Sequence, residues 1–308
     1  IYGQDEFKLT ERLNAQVGAR FIWVEFTAGD GFNPGAPGAF GSGKNTTRQI
    51  DQTYVYNFGM EYELDRGLLA FGRTSRGVRL PTIDERISSS DPNTFKLKTQ
   101  TSQDLEAGLS YQTEKLAVQG SAFVMKLKNE LRLNINQGGG FGLNDNSDPT
   151  RRIGGELMAS YRLSPHLRVK ANAALVDAKF QEGDFSGNSV PLTPQWQLGS
   201  SVNWEIIETK LKANLSASYV DRARLENDES AEGEQIPEYY LVDLRLGGTL
   251  IDTGLSGPTW SFEITNLLNK KYYNYGVRAG ANAGARVTRF NVFPLAGRAA
   301  LIRLNWSL

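Results

Sequence analysis

Six side chains have the chemistry to hold an anionic or chelating ligand. Tyr275, Arg278, Arg286 and Arg289 fall in one stretch near the end of the chain, and Arg79 and Arg86 bracket the Pro in "RLPTIDER". A guanidinium offers a planar fork of N–H donors that matches carboxylate or phosphate oxygens, and a phenol adds both a ring face and a hydroxyl. Other chemistry is poorly served. "GAFGSGKN" places Gly38, Gly43 and Lys44 at phosphate-loop spacing, but Asn45 stands where a hydroxyl should hold Mg²⁺. The segment that follows reads as a strand, so no helix N-terminus is offered to a phosphate. "NDNSD" (144–148) and "ENDESAEGE" (226–234) have oxygen ligands without the offsets of a Ca²⁺ loop, and read as solvated loops. His166 is the single His and no Cys is present, which leaves a His-based or thiolate metal site and a hydrolytic triad without their parts.

The elements that must carry these residues are strands. In "TYVYNFGMEYEL" Tyr54, Tyr56, Phe58, Met60, Tyr62 and Leu64 share one face. In "QWQLGSSVNWEI" Trp196, Leu198, Val202, Trp204 and Ile206 oppose Gln195, Gln197, Ser201, Asn203 and Glu205. "LKANLSASY", "WSFEITN" and "LIRLNWSL" repeat the period of two, and no helical period is comparably sustained. Tight connections at "LTER", "LDRG", "QTEK", "LSPH" and "IIET" alternate with long ones near 27–46, 79–98, 134–148, 181–194, 223–236 and 268–295. A sandwich has no reason to collect every long loop at one end, whereas a membrane barrel has one rim of turns and one of loops. The polar face is largely Asn, Gln, Ser and Gly with scattered Arg, as suits a wet lumen. The apolar face carries Trp and Tyr near strand ends, as interfacial girdles do. Lys and Arg number 34 against 34 Asp and Glu, so no field favours nucleic acid as partner. No run reaches the length of a spanning helix, which says nothing against spanning strands.

The expected fold is all-β: an antiparallel transmembrane β-barrel, with roughly thirteen strands over residues 1–308. An odd number of antiparallel strands does not close, and an open edge in lipid leaves backbone groups unsatisfied. The chain is therefore expected to be part of a longer protein.

"ITNLLNKKYYNYG" followed by "FPLAGRAALIRLNWSL" resembles the closing hairpin of TonB-dependent outer-membrane receptors. The matching residues are Asn266, Leu267, Leu268, Asn269, Lys270 and Tyr272, then Pro294, Gly297 and Arg298. "SRGVRLPTIDE", "DPNTFKLKTQTSQDLEAGLSY" and "IYGQDEFKLTERLNAQVGARF" resemble further segments of that family in the same order. The resemblance implies the C-terminal portion of a barrel of about 22 strands, with the N-terminal plug absent. It implies an outer-membrane receptor of a Gram-negative bacterium. Such a receptor takes up a small-molecule metal complex, most often a ferric siderophore, as cargo, without a cofactor or covalent chemistry. Its implied partners are TonB and the inner-membrane energising complex through the plug, the outer-membrane assembly machinery and lipopolysaccharide. In the motif, Asn would turn the chain at the outer rim and Tyr272 would anchor at the interface. The six residues above would contact the ligand, although Arg278, Arg286 and Arg289 equally suit lipopolysaccharide phosphates. Alternatives are a diffusion porin or structural barrel, an outer-membrane hydrolase, and uptake of cobalamin, haem or oligosaccharide. Haem fits poorly, since residues 82–91 contain no His where haem receptors typically place one.

Overall fold

The computed structural model describes residues 1–28, 47–86, 96–134, 142–250, 257–279 and 289–306. The near-match to a phosphate loop and Arg286 lie outside the described residues. The strands are β1 (Tyr2–Lys8), β2 (Leu13–Ala28), β3 (Thr47–Asp65), β4 (Leu68–Arg79), β5 (Gln100–Gln112), β6 (Leu116–Lys128), β7 (Leu131–Asn134), β8 (Leu143–Asn146), β9 (Thr150–Ser164) and β10 (Leu167–Phe180). They continue as β11 (Trp196–Ile207), β12 (Leu211–Val220), β13 (Ala223–Arg224), β14 (Gln235–Ile236), β15 (Tyr239–Thr249), β16 (Thr259–Thr265), β17 (Tyr273–Ala279), β18 (Arg289–Pro294) and β19 (Ala299–Asn305). Among the described residues one helical turn, α1 (Ile83–Arg86), interrupts them.

Thirteen of these strands form one antiparallel sheet in the order β1-β2-β3-β4-β5-β6-β9-β10-β11-β12-β15-β16-β19. The pairs β7–β8, β13–β14 and β17–β18 are separate hairpins, each inserted in a connection on the long-loop rim. Sequence order and spatial order agree, so every connection joins neighbours and the two rims differ as expected. Tight turns are chemically specified. In "TERL" and "TEKL" the Thr hydroxyl accepts the amide three residues on: Leu13 N–H to Thr10 at 3.0 Å and Leu116 N–H to Thr113 at 2.9 Å. Gly67 turns the β3–β4 hairpin at φ +78°, where a Cβ would also lie 2.3 Å from the Gln112 carbonyl oxygen.

Exposure runs opposite to that of a soluble sheet. Along β5, Leu105 and Leu109 are 58% and 53% exposed, while Asp104, Glu106 and Ser110 between them are half-buried. Trp204 is 49% exposed on the same outward face as Leu198 and Val202. The total accessible surface is 19,781 Å², against about 13,000 Å² for a soluble monomer of this mass. Among the described residues no second sheet covers the apolar side. The polar side is concave and lines two cavities of about 820 and 950 Å³. The apolar face is thus built for oil and the polar face for water. β1 and β19 are the free edges of the sheet, so the barrel is not closed.

Candidate functional site

The loop after β4 shows how sequence positions the first pair of candidate arginines. Pro81 cannot donate to a ladder and ends β4. Thr82 then starts α1 with Glu85 three residues on: the Glu85 carboxylate accepts the Thr82 amide at 2.8 Å, and the Thr82 hydroxyl accepts the Glu85 amide at 3.4 Å. Burial would raise the Glu85 pKa, but these bonds and the Arg79 guanidinium hold it below its usual value. Arg79 pairs with Glu85 and stays half exposed. Arg86 does not reach any surface a ligand could meet, contrary to expectation. It is 1% exposed, stacked 4.8 Å over the Phe26 ring, paired with Asp51 of β3, and donating to the Leu97 carbonyl at 3.2 Å. Burial lowers its pKa, opposed by Asp51 and Glu85. Arg86 pins this loop to the inner face of β2 and β3.

The second group lies on the β17–β18 hairpin. Arg278 donates to Asp228 at 2.6 Å and to the Ser230 hydroxyl at 2.8 Å. Asp228 is wholly buried and also accepts the Gly233 amide at 3.0 Å. The Tyr275 hydroxyl donates to Glu226, and burial with that carboxylate pushes its pKa up to about 12. The backbones join in register, Glu226 N–H to the Gly276 carbonyl and Arg278 N–H to the Glu226 carbonyl, both at 2.9 Å. Gly276 allows this approach, because a Cβ there would sit 2.6 Å from the buried Leu225 side chain. The acidic stretch 226–234 is therefore a packed partner of the last hairpin, where a solvated loop was expected. Only the backbone of Arg289 is described, opposite Ala279.

The structure does not bring the two groups into contact, yet polar bonds connect them. The Asn144 side chain of β8 donates to the Glu85 carbonyl at 3.3 Å. Arg132 of β7 donates to Asp145 at 2.9 Å and pairs with Glu229, and Asn188 of the β10–β11 loop donates to the Glu229 carbonyl at 2.8 Å. Burial would lower the Arg132 pKa, but Asp145 and Glu229 hold it above its usual value. Five connections on one rim are thus tied together. Arg132, Asp145, Glu226, Asp228 and Glu229 had no individual role in the sequence reading; the stretches 144–148 and 226–234, both expected to be solvated loops, held the four acids, and Arg132 left no trace.

The closing motif is a clasp. Asn266 and Asn269 both take positive φ, 50° and 51°, a conformation Asn tolerates better than most residues. Asn266 is 4% exposed; its side chain accepts the Lys270 amide and donates to the Lys270 carbonyl, each at 2.8 Å, while its own amide donates to Asp243 at 2.7 Å. The Arg298 amide donates to the Asn269 side chain at 3.0 Å, and a Cβ at Gly297 would lie 2.9 Å from that oxygen. The motif fastens β15, β16 and the entry to β19 together. Tyr272 packs 4.8 Å from the Tyr239 ring and is half-buried.

These bonds are ionic and hydrogen-bonding contacts made within the rim itself. Among the described residues no group of three or more His, Asp or Glu is placed to hold a metal ion. His166 stands exposed in its turn, 3.6 Å from Glu205.

The family model "TonB dependent receptor-like, beta-barrel" matches residues 1–267. The pesticin receptor of Yersinia enterocolitica is 26% identical over 195 residues, 61% of this chain and 27% of that protein. The ferrioxamine B receptor of Salmonella typhimurium is 24% identical over 193 residues, 60% of this chain and 26% of its own length. The chain therefore spans about a quarter of the curated relatives it matches. Among solved structures, copper transporter OprC gives a TM-score of 0.75 at 16% identity, covering 98% of this chain and 48% of that one. The ferric yersiniabactin uptake receptor FyuA from Yersinia pestis gives 0.71 at 20% identity, with 98% and 44% covered.

Proposed function

The chain belongs to the TonB-dependent receptor β-barrel family, and on that premise we propose that it forms part of an outer-membrane receptor taking up a ferric siderophore or a similar iron complex. The observation that carries this reading is the wall itself, apolar outward and polar inward, with one rim built of interlocked long loops. Siderophore receptors among the sequence relatives support the class of cargo. In this reading Arg79, Arg286 and Arg289 contact the ligand. Tyr275 and Arg278 set the shape of the last hairpin, and Arg86 anchors the loop that carries Arg79. TonB and the inner-membrane proton gradient drive release through a plug supplied by the rest of the protein. The outer-membrane assembly machinery inserts the wall.

Uptake of radioactive iron by cells expressing the complete gene product tests the proposal. A panel of ferric siderophores, with haem and cobalamin as comparisons, should show uptake of at least one ferric complex that stops when TonB is deleted. Uptake that persists without TonB, or no iron uptake from any complex, would overturn it.

A further inference from the structure

We propose, resting on the uptake reading above, that the inner wall of β9 to β19 at the tight-turn rim is a transit site for the cargo, and that it passes an iron complex of net negative charge. This adds to that reading the charge of the cargo and a site well away from the long loops. The cavity of about 820 Å³ opens here, with His166 and Thr209 of two tight turns at its lower edge. Its volume falls in the range of about 300–1,000 Å³ that holds small ligands. Six cations line it: Arg162, Arg168, Lys170, Lys212, Arg245 and Arg303.

Register places most of them in one row. Arg162 lies opposite Arg168, Arg168 opposite Asn203, Asn203 opposite Asn214, and Asn214 opposite Arg245. Asn203 belongs to the polar face, so the row points into the lumen. Like charges set directly opposite one another, as Arg162 and Arg168 are, destabilise a sheet. Lys212 pairs with Glu205 at 3.0 Å, while the other five cations meet no carboxylate among the described residues. Glu263 stands opposite Arg245 in register, yet no ion pair joins them. The second cavity differs: there Glu6, Glu61, Glu106 and Glu156 outnumber Lys8 and Arg73. Unanswered positive charge is thus confined to the β9–β19 side of the lumen.

The spacing describes what fits. Arg162, Arg168 and Lys170 form one flank, and Arg245 and Arg303 form the other. Between them the Asn214 side chain donates to that of Asn203 at 2.9 Å, a neutral polar floor. Arg168 and Arg245 lie three strands apart, which is about 14 Å at about 4.8 Å per strand. A compact ligand with anionic groups on opposite sides bridges two such flanks, and guanidinium forks suit its oxygens. A ferric complex of carboxylates or catecholates has this form, whereas a cationic complex is repelled. The row stands at the rim opposite the long loops, so its effect belongs to passage and not to capture.

The test offers cells expressing the complete gene product three radioactive iron complexes: ferric citrate and a ferric tris-catecholate, both anionic, and cationic ferrioxamine B. The wild type should take up an anionic complex fastest. Arg162→Gln/Arg168→Gln/Arg245→Gln should cut the maximal uptake rate of that complex about tenfold. The half-saturating concentration, and binding to de-energised cells, should stay as in the wild type. The corresponding triple Lys variant, which keeps the charge, should retain most of the rate. An unchanged rate in the Gln variant, or an equal loss in the Lys variant, would overturn the proposal. So would wild-type uptake confined to the cationic complex. Should surface labelling show that the Gln variant fails to reach the membrane, Arg168→Gln and Arg245→Gln singly take its place under the same criteria. Absence of uptake of any complex by the wild type would instead sink the uptake reading, and this inference with it.

Discussion

Asp228 has no contact with solvent, and its charge is answered by Arg278 at 2.6 Å and by Arg224 at 3.5 Å. Breaking a buried pair outright costs about 3–5 kcal/mol, and removing the nearer of two cations costs less. Arg278→Gln is therefore expected to loosen residues 221–238, seen as faster amide exchange there with the sheet unaffected; unchanged exchange would show that the pair holds nothing. Tyr275 gives a pH signature. Its pKa is raised from near 10 to about 12, so its bond to Glu226 is intact below pH 10 and lost as pH rises toward 12. Ultraviolet titration should show one late phenolate component that Tyr275→Phe removes; ionisation of Tyr275 in the ordinary range would contradict the packing. The sequence offered Tyr275 and Arg278 as ligand contacts and gave no sign of Glu226 and Asp228 as their partners, which lie about fifty residues away. An ion pair buried by loop packing leaves no local pattern. Arg86 misled for the same reason: nothing in "RLPTIDER" says that Phe26 and Asp51 will enclose it.

Strands were legible because period two is a local property. The tight turns, the long loops and the faces of Trp204 and Asn203 follow from it directly. Hairpins β7–β8, β13–β14 and β17–β18 were not legible, since each is short and gains its order from neighbouring loops. At this scale the face assignment makes a prediction. An acidic side chain on the lipid face costs somewhat less than the about 2–4 kcal/mol of a basic one, whereas the lumen face is hydrated. Trp204→Asp should therefore lower refolding stability of the intact receptor in vesicles more than Asn203→Asp does. Equal losses would reverse the faces. The clasp predicts a second effect. Asn266→Ala strips the Lys270 amide and carbonyl of their side-chain partner and leaves the Asn266 amide's bond to Asp243, a loss of about 1–3 kcal/mol. Protease cutting near 266–272 should rise; an unchanged pattern would contradict the clasp.

As a whole the molecule is a wall. Family, fold class and the order of loops were readable end to end, because the ordered set of segments and the alternation agree. The ligand was not, because Arg286 lies outside the described residues and the described part of the rim is held by bonds within the protein. The free edges β1 and β19 predict that this chain by itself forms no stable conducting pore, since unpaired backbone groups in lipid each cost several kcal/mol. A steady ohmic conductance from the purified chain would contradict that. The most direct test of the wall uses the absence of Cys from this sequence. Single cysteines placed one at a time at positions 201 to 205 of β11, in the intact receptor in membranes, are offered a water-soluble maleimide. Positions 201, 203 and 205 should label and 202 and 204 should stay protected; uniform labelling, or the reverse alternation, would mean that the apolar face does not meet lipid.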